Sequence, residues 1–128
     1  MTTAVRTATA VGYFRVSDPD QAGDLHNSLE AQKSAFDNFC KLHQLLPVNI
    51  FSDIFSGKRD DRREYRRMLA YVASEGVDTI VVTFLDRFGR NPKETLRRYW
   101  DLEERGITVR SINEDLKDQL MLLIRAGI

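Results

Sequence analysis

The sequence contains little of the material from which disulfides, metal sites and membrane spans are built. It has one cysteine, so Cys40 has no partner for an internal disulfide. With only two histidines besides, the sequence shows no recognisable set of zinc ligands. Cys40 lies at helical spacing from Phe36, which predicts core packing. No apolar run approaches the roughly 20 residues of a membrane-spanning helix, and residues 1–9 lack the apolar core of a signal peptide. These absences predict a cytoplasmic protein.

The sequence also lacks net charge, because 19 basic residues balance 19 acidic ones. A neutral chain is poorly suited to coating DNA by bulk electrostatics, so the distribution of charge matters more than its sum. Five arginines fall close together at Arg59, Arg62, Arg63, Arg66 and Arg67. One interpretation is a solvated helix face whose charges pair with neighbouring acidic residues, and the other is an anion site; the pattern leaves both open.

Apolar runs and helical stripes alternate along the chain. Strands are predicted at 10–16, 49–52, 79–84 and 107–112. The intervening helices are predicted to begin at caps on Asn27, Asp61, Asn91 and Asp118, with Gly76 and Gly106 ending the second and third. This alternation predicts a three-layer α/β/α fold with a mostly parallel sheet of four to five strands and flavodoxin-like winding. The expected organisation is a flexible segment at 1–9, a domain at 10–117 and the start of a further helix at 118–128.

Polar residues follow three of the predicted strands. Ser17 comes directly after the first, residues 53–57 follow the second, and residues 86–90 follow the third. Because the carboxyl ends of parallel strands share one edge of a sheet, these residues are expected to converge. A hydroxyl near several guanidinium groups suggests attack on a phosphate, since planar arginines match phosphate oxygens. No histidine is placed to serve as the base that a serine protease needs.

Four motifs in order resemble the catalytic domain of the serine site-specific recombinases, the resolvase/invertase superfamily. They are Tyr13-x-Arg15-Val16-Ser17-x-x-x-Gln21, Ser28-Leu29-Glu30-x-Gln32, Asp53-x-x-Ser56-Gly57 with Asp61-Arg62, and Leu85-Asp86-Arg87-Phe88-Gly89-Arg90. Each motif alone is weak, whereas the four in sequence over about 11–113 form a specific combination. The resemblance implies a resolvase-like fold.

By this resemblance Ser17 would be the nucleophile that attacks a DNA phosphodiester and forms a 5′-phosphoserine intermediate. Arg15, Arg62, Arg87 and Arg90 would surround the scissile phosphate. Asp86 and Asp53 would hold these arginines, and Asp86 would also handle a proton. Gln21, Gln32, Tyr13 and Ser56 would be supporting residues. Four arginines can replace metal ions, so no cofactor is expected, and the expected partners are DNA and further copies of the chain, as a homodimer and a synaptic tetramer.

Two departures from the family pattern leave alternatives open. The stretch between Ser17 and Ser28 is longer than in small resolvases and invertases and looks more like that of the large serine recombinases and related transposases. The chain stops at Ile128, where the family has a long dimerising helix, so residues 118–128 are expected to be the truncated start of that helix. The alternatives are a non-catalytic dimerisation or regulatory remnant, and a flavodoxin-like phosphate-binding module. The acidic Asp18-Pro19-Asp20 segment, in place of a glycine-rich loop, disfavours the latter.

Overall fold

The computed structural model of the chain describes residues 7–17, 29–55, 62–85, 88, 91–113 and 115–127. Within these residues the order of elements is β1 (Thr9–Ser17), α1 (Leu29–Leu42), β2 (Leu46–Phe55), α2 (Arg63–Glu75), β3 (Thr79–Val82), α3 (Pro92–Glu104), β4 (Thr108–Ser111) and α4 (Leu116–Gly127). The described strands form one parallel sheet in the order β2-β1-β3-β4. The predicted α/β fold with a parallel sheet is confirmed.

The register of β1 brings the candidate residues to one edge of the sheet. Arg15 lies opposite Asp53, and Ser17 lies opposite Phe55, the last residue of β2. On its other side β1 pairs with β3, where Tyr13 lies opposite Val82. The carboxyl ends of three strands therefore meet, as the strand pattern predicts.

One face of the sheet is covered by α1 and is almost entirely apolar. The helix buries Phe36, Phe39 and Cys40 against Ala10 and Phe14 of β1. Burial raises the pKa of the Cys40 thiol to about 11, with a smaller contribution from Asp37, so this cysteine is a packing residue as predicted.

Gly12 is required for the close packing of this face. A Cβ atom at Gly12 would lie 2.8 Å from Cζ of Phe14 and 3.3 Å from Cδ1 of Phe36. The edge-to-face contact between these two rings, with centroids 6.0 Å apart, occupies the space that a side chain would need.

The opposite face is covered by α2 and α3, with α4 packed outside. Its core combines aliphatic residues of the sheet, such as Val11 and Ile80, with Met68 and Val72 of α2 and Leu102 of α3. Leu120 and Ile124 of α4 pack against this cluster. Three aromatic rings of this cluster contact each other edge to face: those of Tyr13, Tyr65 and Phe88.

Several predicted boundaries need correction. Strand β2 spans ten residues and includes Pro47, which is tolerated because β2 is an edge strand of the described sheet. Strand β3 ends at Val82, before the half-exposed Phe84 that was predicted to belong to it. Helix α4 begins at Leu116, and the Oδ1 atom of Asp115 accepts a hydrogen bond from the Asp118 amide at 3.2 Å. The cap is therefore Asp115, three residues before the predicted one, which places Asp118 in the first turn.

The helix caps show which predictions of local structure succeed. Helix α3 begins as predicted, with Oδ1 of Asn91 accepting from the Glu94 amide at 2.9 Å and Pro92 at the first helical position. Gly76 ends α2 with φ 65°. The predicted cap Asp61 is wrong, because α2 begins at Arg63 and its N-cap residue is Arg62. The predicted cap Asn27 lies outside the described residues.

No helix in the described part of the chain is long and apolar enough to cross a membrane.

Candidate functional site

The predicted site residues divide into those that the structure describes and those that it does not. Ser17 is the last residue of β1 and its main chain lies at the carboxyl edge of the sheet. Arg15, Tyr13, Gln32, Asp53 and Arg62 are described with their side chains. The other predicted site residues, Gln21, Ser56, Asp86, Arg87 and Arg90, lie outside the described residues, and their roles stay predictions.

A buried hydrogen bond joins Tyr13 to Asp53. The hydroxyl of Tyr13 donates to Oδ2 of Asp53 at 2.7 Å, and both side chains are buried. Burial raises the pKa of Tyr13 far above its usual value, and the bond to Asp53 and the charge of that carboxylate raise it further. The nearby guanidinium groups of Arg62 and Arg15 oppose this shift. Tyr13 therefore stays protonated and acts as a donor to the carboxylate.

Asp53 also holds the first turn of α2. Its Oδ1 accepts from the Glu64 amide at 2.9 Å and its Oδ2 from the Tyr65 amide at 3.1 Å. A carboxylate at this position satisfies two amides that have no partner within the helix and interacts favourably with the helix dipole. Strand β2 thus supplies the cap that the local sequence was expected to provide. Through these contacts Asp53 fixes the start of α2 at Arg63, directly after its N-cap residue Arg62.

Arg62 is buried and lies in an unusual backbone conformation. Its side chain is 4% exposed, and its φ of 50° falls in the left-handed region, which costs a residue with a Cβ about 1–2 kcal/mol. Its Nη1 donates to the main-chain oxygen of Phe88 at 2.6 Å. The interpretation of Arg62 as part of a solvated helix face is therefore wrong.

The neighbouring arginines behave differently. Arg63, Arg66 and Arg67 are exposed on α2, and Arg67 pairs with Glu64 at 2.7 Å one turn away. For these three the solvated-face interpretation is correct, and surface pairs of this kind contribute little stability. Only Arg62, among the described members of the cluster, is buried.

Gln32 is buried on the α1 face, at the end of β3. It is 5% exposed, and its Oε1 accepts from the hydroxyl of Thr83 at 3.3 Å. The main-chain oxygen of Thr83 in turn accepts from the Ser111 hydroxyl and the Asn113 side chain, both at 3.2 Å. These contacts connect α1 and the end of β4 to Thr83, which directly follows β3 and precedes the Asp86 motif in the sequence.

The sequence analysis missed a second arginine beside this site, the half-buried Arg98. Arg98 of α3 donates from Nη1 to the Phe88 oxygen at 2.9 Å, so this oxygen accepts from both Arg98 and Arg62. Its guanidinium lies 4.3 Å from the centroid of the Tyr65 ring, and its Nη2 is 2.9 Å from Oε1 of Glu94. The signal available in the sequence was the spacing of Glu94 and Arg98, an i,i+4 pair on one helix.

The described part of the site places positive charge near a hydroxyl that stays protonated. Arg15 and Arg62 supply positive charge. The neutral hydroxyl of Tyr13 donates to the carboxylate of Asp53, which holds the start of α2. Among the described residues, no three His, Cys, Asp or Glu side chains are grouped closely enough to hold a metal ion. The chemistry that this arrangement favours is stabilisation of negative charge by fixed guanidinium groups.

Several known proteins are similar to this chain in sequence or in fold. Residues 10–128 match the family described as resolvase, N-terminal domain. The chain is 37% identical over 106 residues to the serine recombinase gin of Escherichia phage Mu, and 37% identical over 106 residues to the Tn552 transposon resolvase of Staphylococcus aureus, with 83% of this chain covered in each case. A resolvase family site-specific recombinase from Streptococcus pneumoniae has the same fold, with a TM-score of 0.73 at 24% identity over 94% of this chain and 85% of that one.

The chain spans about half the length of the curated relatives that it matches, 48% for the phage Mu protein and 47% for the Tn552 resolvase.

Proposed function

The chain belongs to the resolvase N-terminal domain family, and from this premise we propose that it is the catalytic domain of a serine recombinase that cleaves and rejoins DNA. Two relatives named as a serine recombinase and a transposon resolvase, each 37% identical, support this proposal. Ser17 is the nucleophile, and Arg15, Arg62, Arg87 and Arg90 contact the scissile phosphate. Asp86 orients the arginines and handles a proton.

The observation that carries the proposal is the buried contact of Arg62 with the main chain of Phe88. Its guanidinium is held 2.6 Å from the carbonyl of a residue that lies one position after Arg87 and two before Arg90 in the sequence. A buried arginine in a strained backbone conformation is costly, so its position is explained best by a role that needs a fixed charge. Stabilising the charge of a pentacoordinate phosphorus is such a role.

In the proposed reaction the Ser17 oxygen bonds to phosphorus as the bond from phosphorus to the 3′ oxygen of the DNA breaks. The serine loses its proton and the departing 3′ oxygen gains one, which leaves a 5′-phosphoserine and a free 3′ hydroxyl. Rejoining reverses these steps with a 3′ hydroxyl as nucleophile. The phosphodiester is exchanged for another ester of similar energy, so the reaction needs no ATP.

The proposed partners are DNA and further copies of the same chain, in the cytoplasm. Helix α4 supports self-association, because Leu120 and Ile124 pack on the core while Met121 and Leu122 are half-exposed. The homodimer and the synaptic tetramer form through this outer face. Light scattering tests this, and a strict monomer at high concentration would contradict it.

The test of the chemistry is capture of a covalent protein–DNA adduct. The full-length protein is incubated with labelled duplexes covering the DNA that flanks its own gene, and adducts are resolved after denaturation. We expect an adduct whose phosphate maps to Ser17 by mass spectrometry, formed equally well in excess EDTA. Ser17→Ala should remain folded and form none, since the change removes a single oxygen atom.

Two outcomes would contradict the proposal. An adduct that persists in Ser17→Ala would place the nucleophile elsewhere. A folded parent protein that forms no adduct with any of the duplexes would favour the non-catalytic remnant instead.

A further inference from the structure

The main-chain oxygen of Phe88 is held by two arginines from two helices. Arg62, at the start of α2, donates to it at 2.6 Å, and Arg98, in α3, donates at 2.9 Å. The Phe88 ring is fully buried and contacts the rings of Tyr13 and Tyr65. The residue is therefore fixed at its ring and at its carbonyl.

Arg98 is itself held on two further sides. The Tyr65 ring lies 4.3 Å from its guanidinium carbon, and Oε1 of Glu94 accepts from it at 2.9 Å. The same Glu94 oxygen is 3.9 Å from Nε of Arg62. The Glu94 carboxylate thus lies close to the guanidinium groups of both Arg62 and Arg98, and its negative charge offsets the repulsion between them.

We infer that Arg98 is a positioning residue for the proposed phosphate site, and that it acts by fixing the main chain of Phe88 between Arg87 and Arg90. Arg98 donates to Phe88 with one nitrogen and to Glu94 with another, and its side chain is 22% exposed. A planar guanidinium can make both contacts while it stacks on a ring, whereas a lysine ammonium cannot. This inference rests on the proposed function, because the consequence of the positioning is faster cleavage.

The first test compares the same substitution at two adjacent positions. Arg98→Met should lower the single-turnover cleavage rate at saturating DNA by about 10- to 100-fold, because small displacements of catalytic groups cost this much. The dissociation constant for DNA and its salt dependence should stay within about twofold, as Arg98 makes no phosphate contact in this proposal. Arg97→Met removes the same charge from an exposed position of α3 and should leave both quantities unchanged. Arg98→Lys should recover only part of the rate.

The second test does not depend on cleavage. The Phe88 amide donates to the Leu85 oxygen at 3.0 Å, so its hydrogen exchange reports how well this main chain is held. Exchange at Phe88 should be about tenfold faster or more in Arg98→Met and unchanged in Arg97→Met, while amides in the centre of β1 keep the exchange rates of the parent protein.

The two tests separate failure of this inference from failure of the proposed function. If the parent cleaves and Arg98→Met cleaves equally fast, or if Arg98→Met changes DNA affinity instead of rate, the inference is wrong and the function stands. If the parent forms no adduct, the function is wrong, and the exchange experiment still decides whether Arg98 holds Phe88. Uniformly faster exchange across the whole sheet would show a loss of overall stability and would also overturn the inference.

Discussion

The two faces of the sheet differ in the kinds of contact that lie buried on them. On the α1 face, Phe14, Phe36 and Gly12 fit so closely that there is no room for a Cβ atom at position 12. On the α2 and α3 face, the core includes the Tyr13–Asp53 hydrogen bond and two arginines on the Phe88 carbonyl. Both faces have a buried apolar core, but the α2 and α3 face adds a carboxylate and two guanidinium groups to it, whereas the buried polar contact described on the α1 face is that of Gln32 with Thr83.

This difference indicates that stability and activity are separable on one face and coupled on the other. An apolar contact on the α1 face stabilises the sheet without touching the candidate site. The polar contacts on the other face both hold α2 and α3 in place and position Arg62, one of the predicted catalytic arginines. Removing a partner there leaves a buried polar group unsatisfied, which is costly in itself.

The largest effect should follow from Asp53→Ala. This change removes the acceptor of the Tyr13 hydroxyl and of the Glu64 and Tyr65 amides. Each lost hydrogen bond to a charged group costs about 1.5–3 kcal/mol, so urea denaturation should show a loss of at least about 3 kcal/mol in the free energy of unfolding. Cleavage per folded molecule should fall as well, because the start of α2 carries Arg62.

Asp53→Asn is the matched control for charge. An amide oxygen can still accept hydrogen bonds, but it carries no charge and offers fewer acceptor sites. We expect an intermediate loss of stability. If Asp53→Ala lowered stability but left the cleavage rate of the folded protein unchanged, the coupling proposed for this face would be wrong.

A smaller effect, on stability alone, should follow from Gly12→Ala on the other face. The added methyl would overlap the Phe14 ring, and overpacking of this kind costs about 1–3 kcal/mol. Cleavage per folded molecule should stay at the parent value. Phe14→Leu shortens the side chain that the methyl meets, so the double variant should be more stable than the sum of the two single changes predicts. Strict additivity would show that the Phe14 ring is not what excludes a side chain at position 12.

The sequence predicts the apolar face, the start of α3 and the end of α2 better than the polar site and the starts of α2 and α4. Local signals specify the cap at Asn91 and the stop at Gly76, because their partners lie within a few residues. The cap of α2 comes from Asp53, eleven residues before the amide of Glu64 and on another element, so no local pattern indicates it. The burial of Arg62 has the same origin. The composition of its neighbourhood leaves a solvated helix face and an anion site open, and although the motif with Asp61 singles out Arg62, its burial follows from packing against Phe88.

The smallest effect at neutral pH should follow from Tyr13→Phe, and it should change with pH. The variant loses one hydrogen bond to Asp53, which still accepts from two amides, so the free energy of unfolding should fall by about 1.5 kcal/mol near pH 7, the lower end of the range for a bond to a charged group. Burial raises the pKa of Tyr13 well above 10, the usual value, so above pH 10 the unfolded parent releases a proton that the folded parent keeps. The stability of the parent therefore decreases as pH rises beyond 10, by up to about 1.4 kcal/mol per pH unit for this group. The variant lacks this contribution, so its deficit in stability relative to the parent should shrink and vanish near pH 11.

Burial also raises the pKa of Tyr65, to about 12, and a Tyr13→Phe/Tyr65→Phe protein should show a still shallower alkaline decline in stability. Denaturant titrations between pH 7 and pH 11 measure these slopes, and equal slopes in the parent and Tyr13→Phe would show that Tyr13 is not the buried donor that distinguishes this face.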